Sequence, residues 1–206
     1  MQTRLSHTVL TAAVFAAAIF VCGANAQDIK VNDAPLRDFA KDVQAKIDKK
    51  EIDVTKPFSV QMDAYVTNDG KLDRNRSKFT SESGDEKMVE IAKQAIFAMG
   101  DSGYFGYLQQ ADISHATILA SQTDQTFTGS VRASQHRFKA AIVTSGINAA
   151  LKIGLSQNMQ PNEKLIVDNT RASHNGGDID ITCTLPAADF QRMILGNTAA
   201  AVGPSN

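Results

Sequence analysis

The chain has 206 residues, a length that suits one domain or two small ones. Its 21 basic and 22 acidic side chains give a formal charge of −1, so we expect no global attraction to nucleic acid or to an anionic membrane. The absence of Trp and an aromatic content of only 6% argue against a stacking platform for bases or sugars.

The first 26 residues have the pattern of a signal peptide. A short basic segment precedes a mostly apolar run over residues 8–23, and an A-x-A cleavage motif ends at Ala26. The run is shorter than the roughly 20 residues of a spanning helix. We therefore expect cleavage after Ala26 and a periplasmic or secreted protein with no membrane span; the alternative is an uncleaved anchor. Cys22 lacks the small preceding residues of a lipoprotein site.

The mature chain is predicted to begin with a helix followed by a strand. Asp33 is a favourable helix N-cap, Pro35 suits the first turn, and apolar residues then recur at helical spacing to about residue 50. Residues 58–66 alternate strictly between apolar and polar side chains. This alternation predicts a strand with one buried face.

A return strand and a second helix are predicted next. Asn-Asp-Gly at 68–70 is typical of a tight hairpin turn, and residues 71–80 form the second extended run. A Ser-Gly-Asp segment at 83–85 opens a helix whose apolar residues recur as far as Met99. The order is therefore strand, turn, strand and helix.

The same order is predicted in the middle of the chain. Extended runs over 116–121 and 127–133 precede a long helix over 136–156. This helix is apolar on most sides, so we predict it to be the most buried helix of the protein.

A third unit closes the chain. An extended run over 164–172, an Asn-Gly-Gly turn and an alternating strand over 178–185 precede a helix that starts at Pro186 and ends at Gly-Asn at 196–197. Cys183 lies on the apolar face of this strand, so a small core residue is predicted there, with no disulfide in the mature chain. The tail from 198 to 206 is predicted to be disordered.

Together these elements predict an α+β fold. An antiparallel sheet is built from three hairpin-plus-helix units, starting near residues 57, 113 and 163, with the helices mainly on one face. Residues 27–110 hold the N-terminal helix and the first unit, and residues 111–197 hold the other two. The sequence leaves open whether the strands form one sheet or two subdomains.

The first unit carries a family resemblance. Lys-Pro-Phe at 56–58, the Asn-Asp-Gly turn at 68–70, and Ser-Gly-Asp at 83–85 before an alanine-containing helix make up the pattern. Over residues 56–100 this unit resembles the C-terminal domain of TonB and TolA proteins. The resemblance implies a cell-envelope protein that pairs an exposed strand with a partner's extended segment. With no retained anchor or long spacer predicted, the chain resembles a soluble periplasmic relative.

A basic row marks the predicted contact surface. Arg74, Arg76 and Lys78 recur with period two on the predicted return strand, and Val66 ends the strand before it. We expect these four residues to bind an envelope protein partner. The alternative interpretation is an edge strand guarded by charge against unwanted pairing.

Catalytic and metal chemistry are not predicted. Gly-Asp-Ser-Gly at 100–103 matches a fragment of the trypsin-like nucleophile motif, but no matching histidine segment precedes it, and a helix stop explains it. His115, His136 and His174 lack the spacing of metal ligands. Asp178 and Asp180 are interpreted as solvated residues of a polar strand face.

The sequence therefore predicts a non-enzymatic exported interaction or scaffold module without a cofactor, a catalytic residue or a metal. The alternative is an exported inhibitor or small-ligand carrier with a pocket beneath the 136–156 helix. A hydrolase ranks below both, because no nucleophile, base and orienting group can be assembled.

Overall fold

The computed structural model describes residues 31–155 and 159–201. The predicted signal peptide with its cleavage site, Cys22 and residues 202–206 lie outside the described residues. In chain order the elements are α1 (Ala34–Asp48), β1 (Phe58–Tyr65), β2 (Lys78–Gly84), α2 (Glu86–Asp101), α3 (Gly106–Gln110), β3 (His115–Gln122), β4 (Thr126–Ser134), α4 (Arg137–Leu155), α5 (Pro161–Asp168), β5 (Thr170–Asn175), β6 (Asp178–Pro186) and α6 (Ala187–Ala201).

All six described strands belong to one antiparallel sheet. Its strand order is β2-β1-β3-β4-β6-β5, and every neighbouring pair is antiparallel. The α+β fold is confirmed, and the open choice between one sheet and two is settled in favour of one. None of the described helices combines the length and the apolar character needed to cross a membrane.

One face of the sheet carries the core. In β1, Phe58, Val60, Met62 and Ala64 are buried, and the residues between them are half-exposed. Helix α2 packs on β1 and β2, α6 packs on β4 and β6, and α4 packs on β5. The opposite face holds the polar side chains of the strands, as the period-two alternation predicts.

A stacked aromatic pair and a buried thiol lie in the core between the helices and the sheet. The rings of Phe127 on β4 and Phe190 on α6 stack with centroids 3.8 Å apart. Cys183 on β6 is fully buried, which confirms it as a small core residue. Asp85 caps α2 through a hydrogen bond from the Met88 N–H, 3.0 Å long, so the predicted start of this helix is correct.

The connection from β1 to β2 is longer than the predicted tight hairpin. Gly70, at φ +79°, lies in the turn predicted there. A second turn follows, in which the Asp73 carboxylate accepts a hydrogen bond from the Asn75 N–H, 3.1 Å long. Such side-chain-to-backbone bonds compete with strand pairing, so β2 begins only at Lys78 and the predicted run over 71–80 is wrong in its first part.

The predicted extended run over 164–172 is also wrong in its first part. Residues Pro161–Asp168 form helix α5, and β5 begins at Thr170. The helix is stabilised by a capping box between Gln160 and Glu163, with Pro at its first turn.

Two predicted helix properties need correction. Helix α4 is not the most buried helix, since Phe138 and Ile142 are 73% and 57% exposed. It lies along one edge of the sheet and packs on β5, β6 and α5, while the side that carries Phe138 and Ile142 is left exposed by the described residues. Helix α6 runs past the predicted stop at 196–197 to Ala201, so the predicted disordered tail begins inside it.

Candidate interaction edge of the sheet

The sheet has two outer strands, β2 and β5, and β2 is the more exposed. Strand β2 pairs only with β1 within the described part of the chain. Six of its seven residues are exposed, and Phe79 is half-buried. We call the outer side of Lys78–Gly84 the β2 edge.

Backbone groups of the β2 edge point away from the sheet. The Asp85 N–H donates to the Pro57 carbonyl over 2.9 Å, which fixes this pair as hydrogen-bonded. Antiparallel ladders alternate, so Ser83 turns its N–H and C=O toward β1. Glu82 and Gly84 therefore turn theirs outward. Because an unpaired edge is a template for another strand, these groups offer a pairing site.

Gly84 ends the strand with a conformation that requires glycine. Its φ is +97°, and a Cβ there would lie 2.4 Å from the Pro57 carbonyl oxygen. A side chain would thus be strained and would collide with the neighbouring strand. The Gly of the Ser-Gly-Asp segment accordingly sets where β2 stops and α2 starts.

An aromatic pair lies beside the β2 edge on the helix-covered side. Phe79 and Phe97 of α2 meet edge to face, with ring centroids 5.5 Å apart. The Arg74 guanidinium lies 4.4 Å from the Phe97 centroid, and the Lys93 ammonium lies 5.0 Å from that of Phe79. Lys93 also pairs with the Glu82 carboxylate over 3.2 Å. The edge therefore has an apolar patch enclosed by cations.

The predicted basic row is divided between two places. Arg74 and Arg76 lie in the turn before β2, and only Lys78 is in the strand. Arg74 points toward α2, where it pairs with Asp101 over 2.6 Å. Arg76 lies over the ring of Tyr65 on β1, 4.3 Å from its centroid. The two arginines thus leave the same turn toward different elements, α2 and β1, and do not form one row.

Val66 lies away from any free edge. It is 7% exposed and bridges Leu72 in the β1–β2 connection. Its N–H donates to the Ser114 carbonyl over 2.9 Å. The structure therefore places Val66 in the core, and of the four predicted contact residues it is the one that a partner cannot reach without displacing the connection.

The opposite edge of the sheet is closed by a side chain. The Asn148 amide, on α4, donates to the Ala172 carbonyl over 2.8 Å and accepts from the Ala172 N–H over 3.2 Å. Ala172 belongs to β5, whose outer side α4 covers. Asn148 thus occupies both backbone groups that a pairing strand would need at this position. Nothing in the sequence pattern around Asn148 indicates this role.

Three side chains that were candidates for chemistry are buried or bonded to a neighbouring residue. Ser102 of the Gly-Asp-Ser-Gly segment is 1% exposed, and its buried hydroxyl has no hydrogen-bond partner among the described residues. His174 shares a hydrogen bond with the Thr144 hydroxyl, 2.9 Å long. Asp180 pairs with Arg132 over 2.7 Å. Within residues 31–155 and 159–201, no three His, Cys, Asp or Glu side chains lie close enough to hold a metal ion.

The two most prominent cavities among the described residues lie on the helical side, away from α4. An open surface groove of about 450 Å³ lies between the end of α1 and the start of α2, near Glu51 and Lys87. An apolar crevice of about 40 Å³ between α1, α2 and α6 is lined by residues such as Val43 and Phe190. Small-molecule sites usually enclose about 300–1,000 Å³, so the crevice is too small for such a ligand.

Comparisons with known proteins add no family to this picture. No family model, curated protein or solved structure matches the chain. The resemblance to the TonB and TolA C-terminal domains therefore stays a prediction from residues 56–100.

Proposed function

We propose that the protein is a non-enzymatic, exported interaction module that binds an extended segment of an envelope protein at the β2 edge. The observation that carries this proposal is the difference between the two outer strands. Glu82 and Gly84 turn backbone groups outward, whereas Asn148 occupies those of Ala172. Strand addition needs a free edge of this kind.

A bound segment would meet different surfaces on its two faces. Main-chain hydrogen bonds to Glu82 and Gly84 would supply affinity, and alternating side chains would supply specificity. On the helix side, an apolar partner residue would pack on Phe79 and Phe97, whose rings lie 5.5 Å apart. On the open side, the partner would meet Lys78. A segment with alternating apolar and polar or acidic residues fits these surfaces best.

The β2 edge is short and partly guarded. The pairing register shifts between Gln61 and Met62, which leaves Thr80 as the extra residue of a bulge. Bulges and lysines on an edge discourage indiscriminate pairing. The regular segment from Ser81 to Gly84 remains for a partner. Few backbone bonds are then possible, so we expect a reversible complex whose specificity depends on the side chains.

Features of the sequence also support an exported interaction module. The predicted signal peptide supports a location in the envelope or outside the cell. The resemblance over residues 56–100 favours binding by an exposed strand, and that is the surface where the free edge lies. Three of the four predicted contact residues lie at or near this edge, with Lys78 on the strand and Arg74 and Arg76 in the turn before it, whereas Val66 is buried.

Site-specific photo-crosslinking in the envelope of the native host tests the proposal. p-Benzoylphenylalanine is placed at Ser81 on β2 or, as the matched control, at Ser173 on β5; both positions are exposed. We expect a discrete adduct with a partner from position 81 and none from position 173. Ser173 lies on the edge strand that α4 covers, so an adduct from this position would measure crosslinking by non-specific collision.

Two variants at Glu82 then separate backbone pairing from side-chain contact. Both Glu82→Pro and Glu82→Gln remove the ion pair with Lys93, but only proline removes the outward N–H. We expect Glu82→Pro to abolish the Ser81 adduct and Glu82→Gln to retain it, with both variants keeping the native circular dichroism spectrum. An adduct that survives in folded Glu82→Pro, or equal adducts from positions 81 and 173, would contradict strand pairing at β2.

A further inference from the structure

The outward face of α4 is apolar where it meets solvent. Phe138 is 73% exposed and Ile142 is 57% exposed, the two highest values among the large hydrophobic residues whose side chains the structure describes. The inward face of the same helix is anchored by Ala140 and Ile147, which are 0% and 1% exposed. The helix is therefore firmly seated on β5 while it presents large apolar side chains outward.

The exposed residues form one stripe along the helix. Phe138, Ile142, Ser145 and Ala149 are all exposed and follow the three- and four-residue spacing of a helix face. A Cβ built on Gly146, beside this stripe, meets no atom within 4 Å. We call these four residues the outer crest of α4. The crest is convex, since it projects from the helix and has open space next to it.

Positive charge flanks the crest. Helix α4 has 19 residues with Arg137, Lys139 and Lys152 and no Asp or Glu, in a chain whose overall charge is −1. Lys139 pairs with the Asp112 carboxylate. Arg137 and Lys152 are exposed, and neither has an ion-pair partner in the part of the chain that the structure describes. The outward face of α4 is thus apolar along its centre and cationic beside it.

We infer that the outer crest of α4 docks on an anionic lipid surface. A helix with exposed Phe and Ile, flanked by Arg and Lys, has the composition that inserts its apolar side chains at the headgroup boundary of an anionic bilayer. The attraction is local and does not depend on the net charge of the chain, because charges beyond a Debye length of about 8 Å are screened at physiological salt.

Charge argues against a second copy as the occupant. In an antiparallel contact between two α4 helices, Arg137 of one copy would approach Lys152 of the other. In a parallel contact, each cation would approach its own counterpart. Both arrangements bring like charges together, and the helix supplies no carboxylate to offset them. The headgroups of a fluid anionic bilayer can pair with both cations. Such a surface can receive the convex crest without a preformed groove.

Docking through α4 would orient the proposed interaction edge. The β5 strand beside α4 and the β2 strand are at opposite ends of the six-stranded sheet. With strands about 4.8 Å apart, five spacings separate them by about 24 Å. The β2 edge would then face away from the lipid toward soluble partners. The inference does not depend on the proposed function, since lipid binding and strand pairing use different residues.

Vesicle co-sedimentation tests the inference, with the processed protein purified from its native host. The probes are large vesicles of phosphatidylcholine alone and of phosphatidylcholine with phosphatidylglycerol at 1:1. We expect binding to the anionic vesicles that weakens with added salt, and at least about tenfold weaker binding to the neutral ones. The Phe138→Ser/Ile142→Ser double variant should lose about tenfold or more in affinity.

Two further variants complete the test. Arg137→Gln/Lys152→Gln should lose roughly 25-fold, since each cation near an anionic surface contributes about a factor of five. Leu195→Ser on α6, at a residue 40% exposed, is the matched apolar control and should change affinity less than about twofold.

Three results would overturn the inference. They are no binding of the wild-type protein to anionic vesicles, equal binding to neutral and anionic vesicles, and a wild-type dimer in solution that the Phe138→Ser/Ile142→Ser variant dissociates. The last result would assign the crest to a second copy. Glu82→Pro should bind vesicles as the wild type does, so a failed strand-pairing experiment and a failed lipid experiment are distinguishable.

Discussion

The two outer strands of the sheet differ in how their outer backbone groups are protected. At β5, helix α4 covers the edge, and the Asn148 amide makes two hydrogen bonds to the backbone of Ala172, at 2.8 and 3.2 Å. At β2, the protection that the described residues provide is a bulge and charged side chains. The β5 edge is therefore closed to pairing, and the β2 edge is restricted but open.

This difference shows that the two edges of one sheet can differ in their capacity to pair with another strand. Covering an edge with a helix removes its pairing capacity altogether, whereas charges and a bulge only make pairing selective. The closed edge also gives α4 a fixed position, from which its outer crest projects. The open edge then remains as the place where an extended partner segment can add to the sheet.

The largest effect should follow from opening the closed edge. Asn148→Ala removes both bonds to Ala172 and leaves its N–H and C=O without these partners. We expect a loss of about 2 kcal/mol in the free energy of unfolding. We also expect concentration-dependent self-association, because β5 would then offer a pairing edge. Urea denaturation and light scattering after size exclusion measure the two effects.

Ser145→Ala is the matched control for this change. Ser145 lies on the exposed side of the same helix. Surface substitutions of this kind usually stay within about 0.5 kcal/mol. If Asn148→Ala were as stable and as monomeric as Ser145→Ala, the amide would not be what closes the β5 edge, and the contrast between the two edges would fail.

A smaller effect should appear at alkaline pH, where the buried thiol of Cys183 and the phenol of Tyr104 titrate separately. Burial raises the pKa of the Cys183 thiol on β6, against a weaker opposing effect of a hydrogen bond with Thr170. Burial, and then the negative charge of Asp33, raises the pKa of the Tyr104 phenol between α2 and α3. Both groups hold their protons more tightly in the folded state than in the unfolded state.

The raised pKa values of the two groups determine whether the free energy of unfolding rises or falls with pH. Stability is complete below the unfolded pKa of each group, about 8.5 for a thiol and about 10 for a phenol, and falls as pH rises above it. Each group contributes at most about 1.4 kcal/mol per pH unit. Urea denaturation at pH values from 7 to 11 measures the slope of the free energy of unfolding against pH. We expect Cys183→Ala to flatten this slope from about pH 8.5 and Tyr104→Phe to flatten it only above about pH 10. Unchanged slopes in both variants would contradict the raised values.

The sequence predicted most of the fold because the strand signals were local. The alternation in β1 and β6, the helix start at Asp85 and the buried position of Cys183 all follow from periodicity or capping. The start of β2 was wrong, since Asp-Gly at 69–70 is equally compatible with a two-residue hairpin and with the longer connection found here. Helix α5 was missed although its Pro161 and capping box were visible in the sequence.

The candidate site was only partly predictable. Lys78 was found because it lies on the strand, but the separation of Arg74 from Arg76 depends on the turn at Asp73. The bonds of Asn148 to Ala172 join residues 24 positions apart in the chain. Periodicity carries no information on such pairs. The exposed side of α4 was likewise hidden, because apolar and small residues occur all around this helix.

Residue-resolved amide hydrogen exchange tests the central contrast most directly. The amides of Glu82 and Ala172 both point outward from an edge strand, but among residues 31–155 and 159–201 only that of Ala172 has a partner, the Asn148 side chain. We predict that in the isolated protein the Glu82 amide exchanges within about tenfold of the unfolded-chain rate, and that the Ala172 amide exchanges at least about 100-fold more slowly than Glu82. Equal protection of the two amides, or slower exchange at Glu82, would contradict the account.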